Sequence, residues 1–218
     1  LVSPQFFDRD NLLLKLNARA TGIDRANRTV TVSTGEVLSY DKLVIATGSY
    51  PFVPPLPGKE RKDCFVYRTI EDLEAMLECG SRSSSGVVIG GGLLGLECAK
   101  ALQDMKLQTH VVEFAPRLMA AQVDDAGGRM LRRKIEELGV VGHTQKSTLE
   151  NVDGEQARHG MVVAAGSQLE TDMIVVSAGV RPRDGSARQS GTRLAPGGGK
   201  ASARKRRRRQ PHSLREQA

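Results

Sequence analysis

Apolar positions change their period between Ser85 and Phe114, and the change predicts a strand, a helix and a second strand. Residues 87–89 form a short continuous apolar run, typical of a strand that is buried on both faces. After three consecutive glycines, apolar residues recur at helical spacing, at Leu94, Cys98, Ala101, Leu102 and Met105. Residues 109–114 are again rich in β-branched and apolar side chains. The segment therefore predicts a βαβ unit, in which a helix joins two parallel strands.

Two further helices are predicted, one on each side of this unit. Over residues 69–79, Thr69 is a suitable cap, and one apolar face holds Ile70, Leu73, Met76 and Leu77. Over residues 124–138, a second apolar face holds Met130, Leu131, Ile135 and Leu138. Residues 173–177 predict a late strand, and Ala165-Gly166 predicts a hairpin turn between late antiparallel strands.

The first 60 residues show short apolar runs instead of helical spacing. These runs are rich in Leu, Val and Thr and are broken at Gly22, Gly35 and Gly48. They predict a small antiparallel hairpin with Gly35 in its turn, followed by a strand over residues 42–46. The proline-rich residues 49–58 predict an ordered linker, because proline cannot donate a backbone hydrogen bond to a sheet.

The net charge of +7 is concentrated at the end of the chain. Ten Lys or Arg residues and one Glu follow from Gly185 onward, so that segment carries +9 and residues 1–184 carry −2. Such a basic segment with few large apolar residues predicts a disordered tail over residues 185–218. The basic run 204–209 suits phosphate binding, but no aromatic residue or recognition helix accompanies it. We therefore do not expect nucleic acid to be a partner.

The cysteines and histidines predict neither disulfides nor a metal site. Cys64, Cys79 and Cys98 are odd in number and far apart, which favours a reduced, cytoplasmic protein. Cys98 falls on the apolar face of the helix in the βαβ unit and is expected to be a small core residue. The four histidines lack metal-ligand spacing: His110, His143, His159 and His212. No apolar run approaches the ~18 residues that span a bilayer, so no membrane partner is expected.

The glycine cluster in the βαβ unit has the spacing of a dinucleotide site. Gly90, Gly92 and Gly95 are in G-x-G-x-x-G register, directly after a predicted strand and at the start of a predicted helix. The first glycine allows a tight turn, the second allows backbone to approach a pyrophosphate, and the third allows helix and strand to pack closely. The free N–H groups of the helix start would bind the pyrophosphate.

An acidic residue stands where the adenosine ribose of such a ligand is expected. Glu113 ends the second predicted strand, at the distance from the glycines that suits hydrogen bonds to ribose hydroxyls. Its charge favours NADH over NADPH, because a carboxylate repels the 2′-phosphate. Arg117 lies four residues further on and leaves an alternative, since a guanidinium there could pair with that phosphate. An ordinary surface charge is the other interpretation of Arg117.

Several blocks of the sequence, in order, resemble the two-dinucleotide flavoprotein reductases, in which an NAD domain interrupts an FAD domain. These blocks are KLVIATGSYP at 42–51, GGGLLGLECAKAL at 90–102 and SAGVRPR at 177–183. Four more are similar to the large-subunit family of NAD(P)H-dependent nitrite reductase: FVYRTIEDLEAM at 65–76, THVVEFAPRLMA at 109–120, DDAGGRMLRRKIEELGV at 124–140 and HTQKSTLE at 143–150. The resemblance covers about residues 1–184.

The resemblance implies the fold class and its domains. It implies an α/β fold, with a Rossmann-like NAD-binding domain (a βαβ parallel sheet plus late antiparallel strands) joined to an incomplete FAD-binding domain. We expect the partial FAD domain over residues 1–70, the NAD domain over residues 71–184 and the basic tail over residues 185–218.

The resemblance also implies which residues bind each cofactor. The NAD site would comprise Gly90, Gly91, Gly92, Leu93, Leu94, Gly95, Glu113, Ala178 and Gly179, with Glu97 near the nicotinamide. The FAD site would include Ala20, Ala46, Thr47, Gly48 and Arg68. No catalytic acid or base is implied, because the chemistry is hydride transfer from NADH to the flavin and the protein supplies orientation. Siroheme and an iron–sulfur cluster belong to the full-length family, in which nitrite becomes ammonia, and not to this chain. A homodimer or a small-subunit partner is possible in that family.

The sequence also departs from the family pattern. The opening G-x-G-x-x-G for FAD is missing, and the closing flavin-binding strand is replaced by GGGKASARKRRRRQ, so we expect a fragment with an aberrant end. Lys106 stands where a helix-ending glycine is expected, Gly142 interrupts a predicted strand, and Gly160 and Ala165 disturb a predicted hairpin.

Two alternatives to the nitrite reductase hypothesis remain. The chain could be a module that binds NAD(H) without catalysis. It could also belong to an FAD-dependent NADH reductase unrelated to nitrite, of the ferredoxin or rubredoxin reductase kind. Flavin colour that NADH bleaches would distinguish an enzyme from a non-catalytic module.

Overall fold

A computed structural model describes residues 3–146, 148–153, 159–163 and 168–192. Its strands, in chain order, are β1 (Ala20–Asp24), β2 (Thr29–Val32), β3 (Val37–Ser39), β4 (Ser49–Pro51), β5 (Cys64–Val66), β6 (Ser85–Ile89), β7 (Gln108–Val112), β8 (Val140–His143), β9 (Thr148–Asp153), β10 (His159–Val163), β11 (Gln168–Thr171), β12 (Met173–Val176) and β13 (Val180–Pro182). Its α-helices are α1 (Ile70–Gly80), α2 (Leu93–Asp104), α3 (Asp125–Glu137) and α4 (Gly185–Gln189), and a 3₁₀ helix spans Pro4–Phe7.

The chain forms two compact units. The larger unit contains residues 49–181, and the smaller one contains residues 1–48 together with 182–218. The domain boundary expected after residue 70 remains a prediction. Strand β5 pairs in parallel with β12 and so belongs to the sheet of the larger unit.

The smaller unit is built on a three-stranded antiparallel sheet, in the order β1-β2-β3. The predicted hairpin is confirmed, with Gly35 in its turn at a φ of +87°. The predicted strand over residues 42–46 is wrong, since no strand is assigned there. Val44, in the middle of this segment, is 86% exposed.

Residues 185–192 are ordered, although the sequence predicted a disordered tail from residue 185 onward. Helix α4 follows Asp184 directly, packs against β1 and buries Ala187. The Arg25 guanidinium also donates a hydrogen bond of 2.8 Å to the Gly191 carbonyl. Residues 185–192 are therefore part of the smaller unit, and the basic run 204–209 lies outside the described residues.

The larger unit is organised by a five-stranded parallel sheet with the order β5-β12-β6-β7-β8. Helix α2 joins β6 to β7, and α3 joins β7 to β8, so the predicted βαβ unit is confirmed and repeated. The late strand β12 inserts between β5 and β6. Strand β8 runs through Gly142, which is itself paired with Val111 of β7, so the predicted interruption of this strand is wrong.

Two apolar layers cover the two faces of this sheet. Residues of α1 and α2, including Met76, Cys98 and Leu102, pack against Val88 and Val111 on one face. The other face is covered by a three-stranded antiparallel sheet, in the order β11-β10-β9. Val87 and Ile89 contact it through Met161 and Leu169. The predicted late antiparallel strands are thus confirmed, while Ala165-Gly166 lie outside the described residues.

The helix ends follow capping chemistry. Thr69 accepts a hydrogen bond from the Asp72 N–H, and Asp72 accepts one from the Thr69 N–H, which forms a capping box at the start of α1. Asp124 caps α3. After α2, Lys106 has a φ of +69°, the left-handed conformation for which the sequence predicted a glycine.

Helix length and composition bear on membrane insertion. None of the helices in the described ranges combines the length and the apolar character that crossing a bilayer requires.

Candidate functional site

A cavity of about 690 Å³ opens at the carboxyl ends of the central strands in the larger unit. It begins where β6, β7 and β12 end, at Ile89, Val112 and Val176. Strand β7 follows β6 on one side, and the much later β12 lies on its other side. In parallel α/β sheets, ligands bind at such a topological switch point.

The first and third glycines of the motif make backbone contacts that no side chain allows. Gly90 has a φ of +118°, and a Cβ there would lie 2.4 Å from the Ser177 carbonyl oxygen. A Cβ on Gly95 would lie 1.9 Å from the Gly90 carbonyl oxygen. Helix α2 therefore packs directly on the turn that precedes it, as the spacing predicted.

The second glycine leaves the start of α2 open to the cavity. Gly92 is the N-cap of α2, and no side chain supplies a cap hydrogen bond there. A Cβ on Gly92 would meet nothing within 4 Å. Leu93 and Leu94 in the first turn also line the cavity. The arrangement presents backbone donors and the positive end of a helix to an anion.

Glu113 holds a fixed position beside this helix start. Its carboxylate accepts hydrogen bonds of 2.6 Å from the Gly91 N–H and 2.7 Å from the Ala115 N–H. Its own N–H donates to the His143 carbonyl at 2.8 Å, which anchors the end of β7 to β8. Because each carboxylate oxygen can accept more than one hydrogen bond, both can still bind ligand hydroxyls from the cavity.

Arg117 does not enter the cavity. Its guanidinium donates to the Val123 carbonyl at 2.9 Å and to the Asp125 carboxylate at 2.8 Å. The alternative in which Arg117 pairs with a 2′-phosphate therefore has no support in this conformation. Arg117 is not an ordinary surface charge either, since the Arg117 side chain is only 28% exposed.

The cavity wall that follows β12 is largely apolar. Ala178 and Gly179 line it after β12, and Gly179 has a φ of +109°. The Gly179 carbonyl accepts a hydrogen bond from Phe52 at 2.9 Å. Phe52 lines the cavity and carries the Arg181 guanidinium 4.3 Å from its ring centroid. Sequence reasoning missed the remaining wall residues: Pro51, Pro54, Leu56, Tyr67, Phe114, Met119, Ala120, Ala121, Gln122, Lys146, Ser177 and Val180.

Other predicted site residues lie elsewhere. Glu97 is exposed on α2 and is not among the cavity-lining residues. Arg68 donates a hydrogen bond of 3.0 Å to the Ser49 hydroxyl in the larger unit. The other predicted flavin contacts belong to the smaller unit, where Ala20 lies on β1 and Ala46-Thr47-Gly48 form an exposed segment. There the Thr47 hydroxyl donates to the Arg183 carbonyl at 2.5 Å.

Two histidines that are scattered in sequence form a pair. His110 Nδ1 and His143 Nε2 are 3.0 Å apart, and the ring centroids are 5.3 Å apart. Burial and the neighbouring His143 lower the pKa of His110. Burial and the charges of Arg132 and Lys146 lower the pKa of His143. The register that sets Val112 opposite His143 creates the pair. Among the described residues, no cluster of three potential metal ligands forms.

The cysteines are free and partly or wholly buried. Cys98 is fully buried in the core, and burial raises the pKa of its thiol to about 12. The prediction that Cys98 is a core residue is confirmed. Burial likewise raises the pKa of Cys64 to about 11 and raises that of Cys79.

Relatives of known function share this region of the chain. The chain is 52% identical over 200 residues to the nitrite reductase (NADH) large subunit of Escherichia coli K12, and 51% identical over 199 residues to the nitrite reductase [NAD(P)H] large subunit of Klebsiella oxytoca. Each match covers 91% of this chain. The chain spans only 24% and 21% of the length of those two relatives.

A solved structure and a family profile also match most of the chain. A ferredoxin reductase from Rhodopseudomonas palustris superposes with a TM-score of 0.81 at 29% identity, covering 89% of this chain and 48% of that one. The profile described as pyridine nucleotide-disulphide oxidoreductase matches residues 9–207, which extends beyond Gly185, where the sequence predicted that the family pattern ends. Because this profile matches most of the sequence, the chain belongs to the pyridine nucleotide-disulphide oxidoreductase family.

Proposed function

We propose that the larger unit binds NAD(H) in the cavity at the start of α2, as the coenzyme-binding part of a flavin-dependent reductase. One observation carries the proposal. The open N-cap at Gly92 and the fixed carboxylate of Glu113 line the same cavity, next to a glycine turn that admits no side chain. A diphosphate needs the first feature, and an adenosine ribose needs the second.

The residues present fit such a coenzyme. The N–H groups of the first turn of α2 would bind the diphosphate, and the absence of a side chain at Gly92 leaves room for it. The hydrogen bonds from Gly91 and Ala115 hold the Glu113 carboxylate in place before ligand arrives, so little is lost in ordering it. The apolar wall around Ala178 and Gly179 would exclude water from the other end of the coenzyme.

NADH is the preferred form in this proposal. The Glu113 carboxylate would accept hydrogen bonds from the ribose hydroxyls of NADH and repel the 2′-phosphate of NADPH. The guanidinium of Arg117 already donates to Val123 and Asp125, so it offers that phosphate no counter-charge.

FAD is the proposed second cofactor. The family implies contacts from Ala20, Ala46, Thr47, Gly48 and Arg68, and the left-handed φ of +71° at Gly48 suits close backbone approach to a ligand. When bound, the flavin supplies a two-electron acceptor for the nicotinamide hydride. The residues of this chain would orient the nicotinamide and exclude water, without acting as an acid or base.

We further propose that the chain corresponds to the reductase region of an NADH-dependent nitrite reductase. The support is the 52% identity over 91% of the chain to such a large subunit. In that setting the electrons would leave for siroheme and iron–sulfur centres outside this chain. A second copy or a small subunit would be the protein partner. Three free cysteines agree with a reducing, cytoplasmic setting.

A second candidate is a reductase that passes electrons to a small iron–sulfur protein. The TM-score of 0.81 to a ferredoxin reductase favours it. The acceptor distinguishes the two candidates, because reduction of nitrite requires the centres of a full-length nitrite reductase.

Substitution of Glu113 tests the proposed coenzyme site. We expect Glu113→Ala to weaken NADH binding about tenfold or more, since a hydrogen bond to a charged group contributes about 1.5–3 kcal/mol. NADPH binding should weaken less, so the preference for NADH narrows. Titration calorimetry with both coenzymes measures this change. Glu137→Ala is the matched control, because Glu137 lies on α3 and its carboxylate pairs with the exposed Lys134. An unchanged ratio of the two dissociation constants would remove Glu113 from the ribose site.

A further inference from the structure

The turn between β7 and α3 forms one wall of the cavity. Its residues Met119, Ala120, Ala121 and Gln122 line the cavity next to the glycine turn, and we call these four residues the adenosine wall. The Met119 N–H donates a hydrogen bond of 2.8 Å to the Gly91 carbonyl. The wall is therefore attached at one end to the backbone that precedes the Gly92 cap.

Arg117 holds the far side of the adenosine wall. Its Nη2 donates to the Ala120 carbonyl at 3.3 Å, and its Nε donates to the Val123 carbonyl at 2.9 Å. Its Nη1 donates to the Asp125 carboxylate at 2.8 Å, in the first turn of α3. One guanidinium thus joins the wall, the residue after it and the next helix.

The stem of Arg117 is also fixed by packing. A Cβ placed on Gly128 would lie 2.8 Å from Arg117 Cδ and 3.0 Å from its Cβ, so the stem lies directly on the backbone of α3. The next residue, Leu118, is fully buried in the core below. These contacts direct the guanidinium to the outer side of the wall, and Arg117 is not among the residues that line the cavity.

We infer that Arg117 is a positioning residue for the coenzyme. It keeps the adenosine wall in the conformation that receives the adenosine end of NADH, and it does not contact the coenzyme. This inference rests on the proposed NAD(H) site. It predicts that Arg117 sets affinity for NADH and NADPH equally and has no part in choosing between them.

The fork shape of the guanidinium is essential to this role. Lysine has the same charge but is a compact point charge, which cannot reach two carbonyls and a carboxylate in fixed directions. A residue that only attracted the coenzyme's negative charge would be replaced well by lysine. Lysine would not replace a residue that holds a turn in place through hydrogen bonds in several fixed directions.

Binding and hydrogen exchange together test the inference on the full chain. We expect Arg117→Ala to raise the dissociation constants of NADH, NADPH and ADP-ribose by one common factor of about five to twenty, in line with losing several hydrogen bonds that preorganise a site. Arg117→Lys should behave like Arg117→Ala. Backbone amides of residues 118–123 should exchange faster in both variants without ligand. Arg133→Ala, which removes an exposed Arg of α3, is the control for charge and should change none of these values.

Several results would overturn the inference. A selective loss of NADPH affinity in Arg117→Ala would make Arg117 a phosphate contact, and restoration of affinity by Arg117→Lys would make it a source of charge. Unchanged affinity and exchange would remove any role. If Arg117→Ala does not fold, Gly128→Ala displaces the same stem and should give a smaller change in the same direction. If the unmodified chain binds neither NADH nor ADP-ribose, the proposed function fails, and the exchange of residues 118–123 still decides whether Arg117 holds the wall.

Discussion

Two glycines of the same motif should separate ligand binding from folding. Gly92 has an extended conformation, with φ −80° and ψ −177°, which any residue adopts. A Cβ there would meet no atom within 4 Å. Gly92→Val should therefore preserve the fold, with a loss of about 1 kcal/mol because valine is a poor N-cap. The new side chain would occupy the space through which a diphosphate approaches.

The expected loss of affinity follows from the contacts that Gly92→Val excludes. Each hydrogen bond from a backbone N–H to a charged oxygen contributes about 1.5–3 kcal/mol, and the helix start adds about 0.3–1 kcal/mol. Losing two such hydrogen bonds weakens NADH binding at least a hundredfold, since about 1.4 kcal/mol corresponds to a factor of ten. Isothermal titration calorimetry of both proteins measures the difference.

Gly95→Ala should show the opposite behaviour. Its Cβ would lie 1.9 Å from the Gly90 carbonyl oxygen, so α2 must move away from the turn. Overpacking of this kind costs about 1–3 kcal/mol. Because about 1 kcal/mol lowers the midpoint of a chain of this length by about 2–4 °C, thermal unfolding followed by circular dichroism would detect it. Full NADH affinity in Gly92→Val, or an unchanged midpoint in Gly95→Ala, would refute this account of the motif.

Two other features give predictions about stability. Lys106 is exposed and has a left-handed φ of +69°, so Lys106→Gly should raise the free energy of unfolding by about 0.5–1 kcal/mol. Urea unfolding measures this change, and Lys100→Gly, inside a helix, is the control that should lower the free energy of unfolding. The pKa values of His110 and His143 are lowered in the folded state from an ordinary value of 6.5, so the unfolded chain binds more protons in acid. The contribution of the two neutral histidines to stability should be present above about pH 6.5 and lost as the pH falls. His110→Gln should therefore reduce the difference between the urea midpoints at pH 5.5 and pH 7.5. An equal difference in that variant would assign the pH dependence to other groups.

Local chemistry explains why the centre of the fold could be predicted from the sequence. Residues 87–89 are apolar without interruption because both faces of β6 are covered. Gly95 is required by a backbone contact with Gly90 in the same turn, and the Thr69 cap bonds to a residue three positions away. Interactions of this kind lie within a few residues of each other and leave a direct trace in the sequence.

Contacts between residues that are far apart in the sequence could not be predicted from local patterns. Residues 42–46 have the composition of a strand, yet a strand forms only beside a partner, and the described residues give this segment none. His110 and His143 meet only because of the register between β7 and β8. The role of Arg117 was also open, since the direction of its guanidinium depends on the carbonyls of a turn that the sequence does not specify. Sequence spacing put Glu113 at the end of a strand next to the glycine turn, and the structure has it there.

The insertion of β12 between β5 and β6 has a consequence for synthesis on the ribosome. Strands β5 and β6 emerge early, but the strand that joins them is made only after the antiparallel layer. Until β12 is made, β5 and β6 each present an unpaired edge. Chaperones commonly shield such edges in nascent chains. Ser177 and Ala178, whose backbone encloses the glycine turn, are synthesised directly after β12. Translation must therefore pass beyond β12 before the pocket for the nucleotide exists at all.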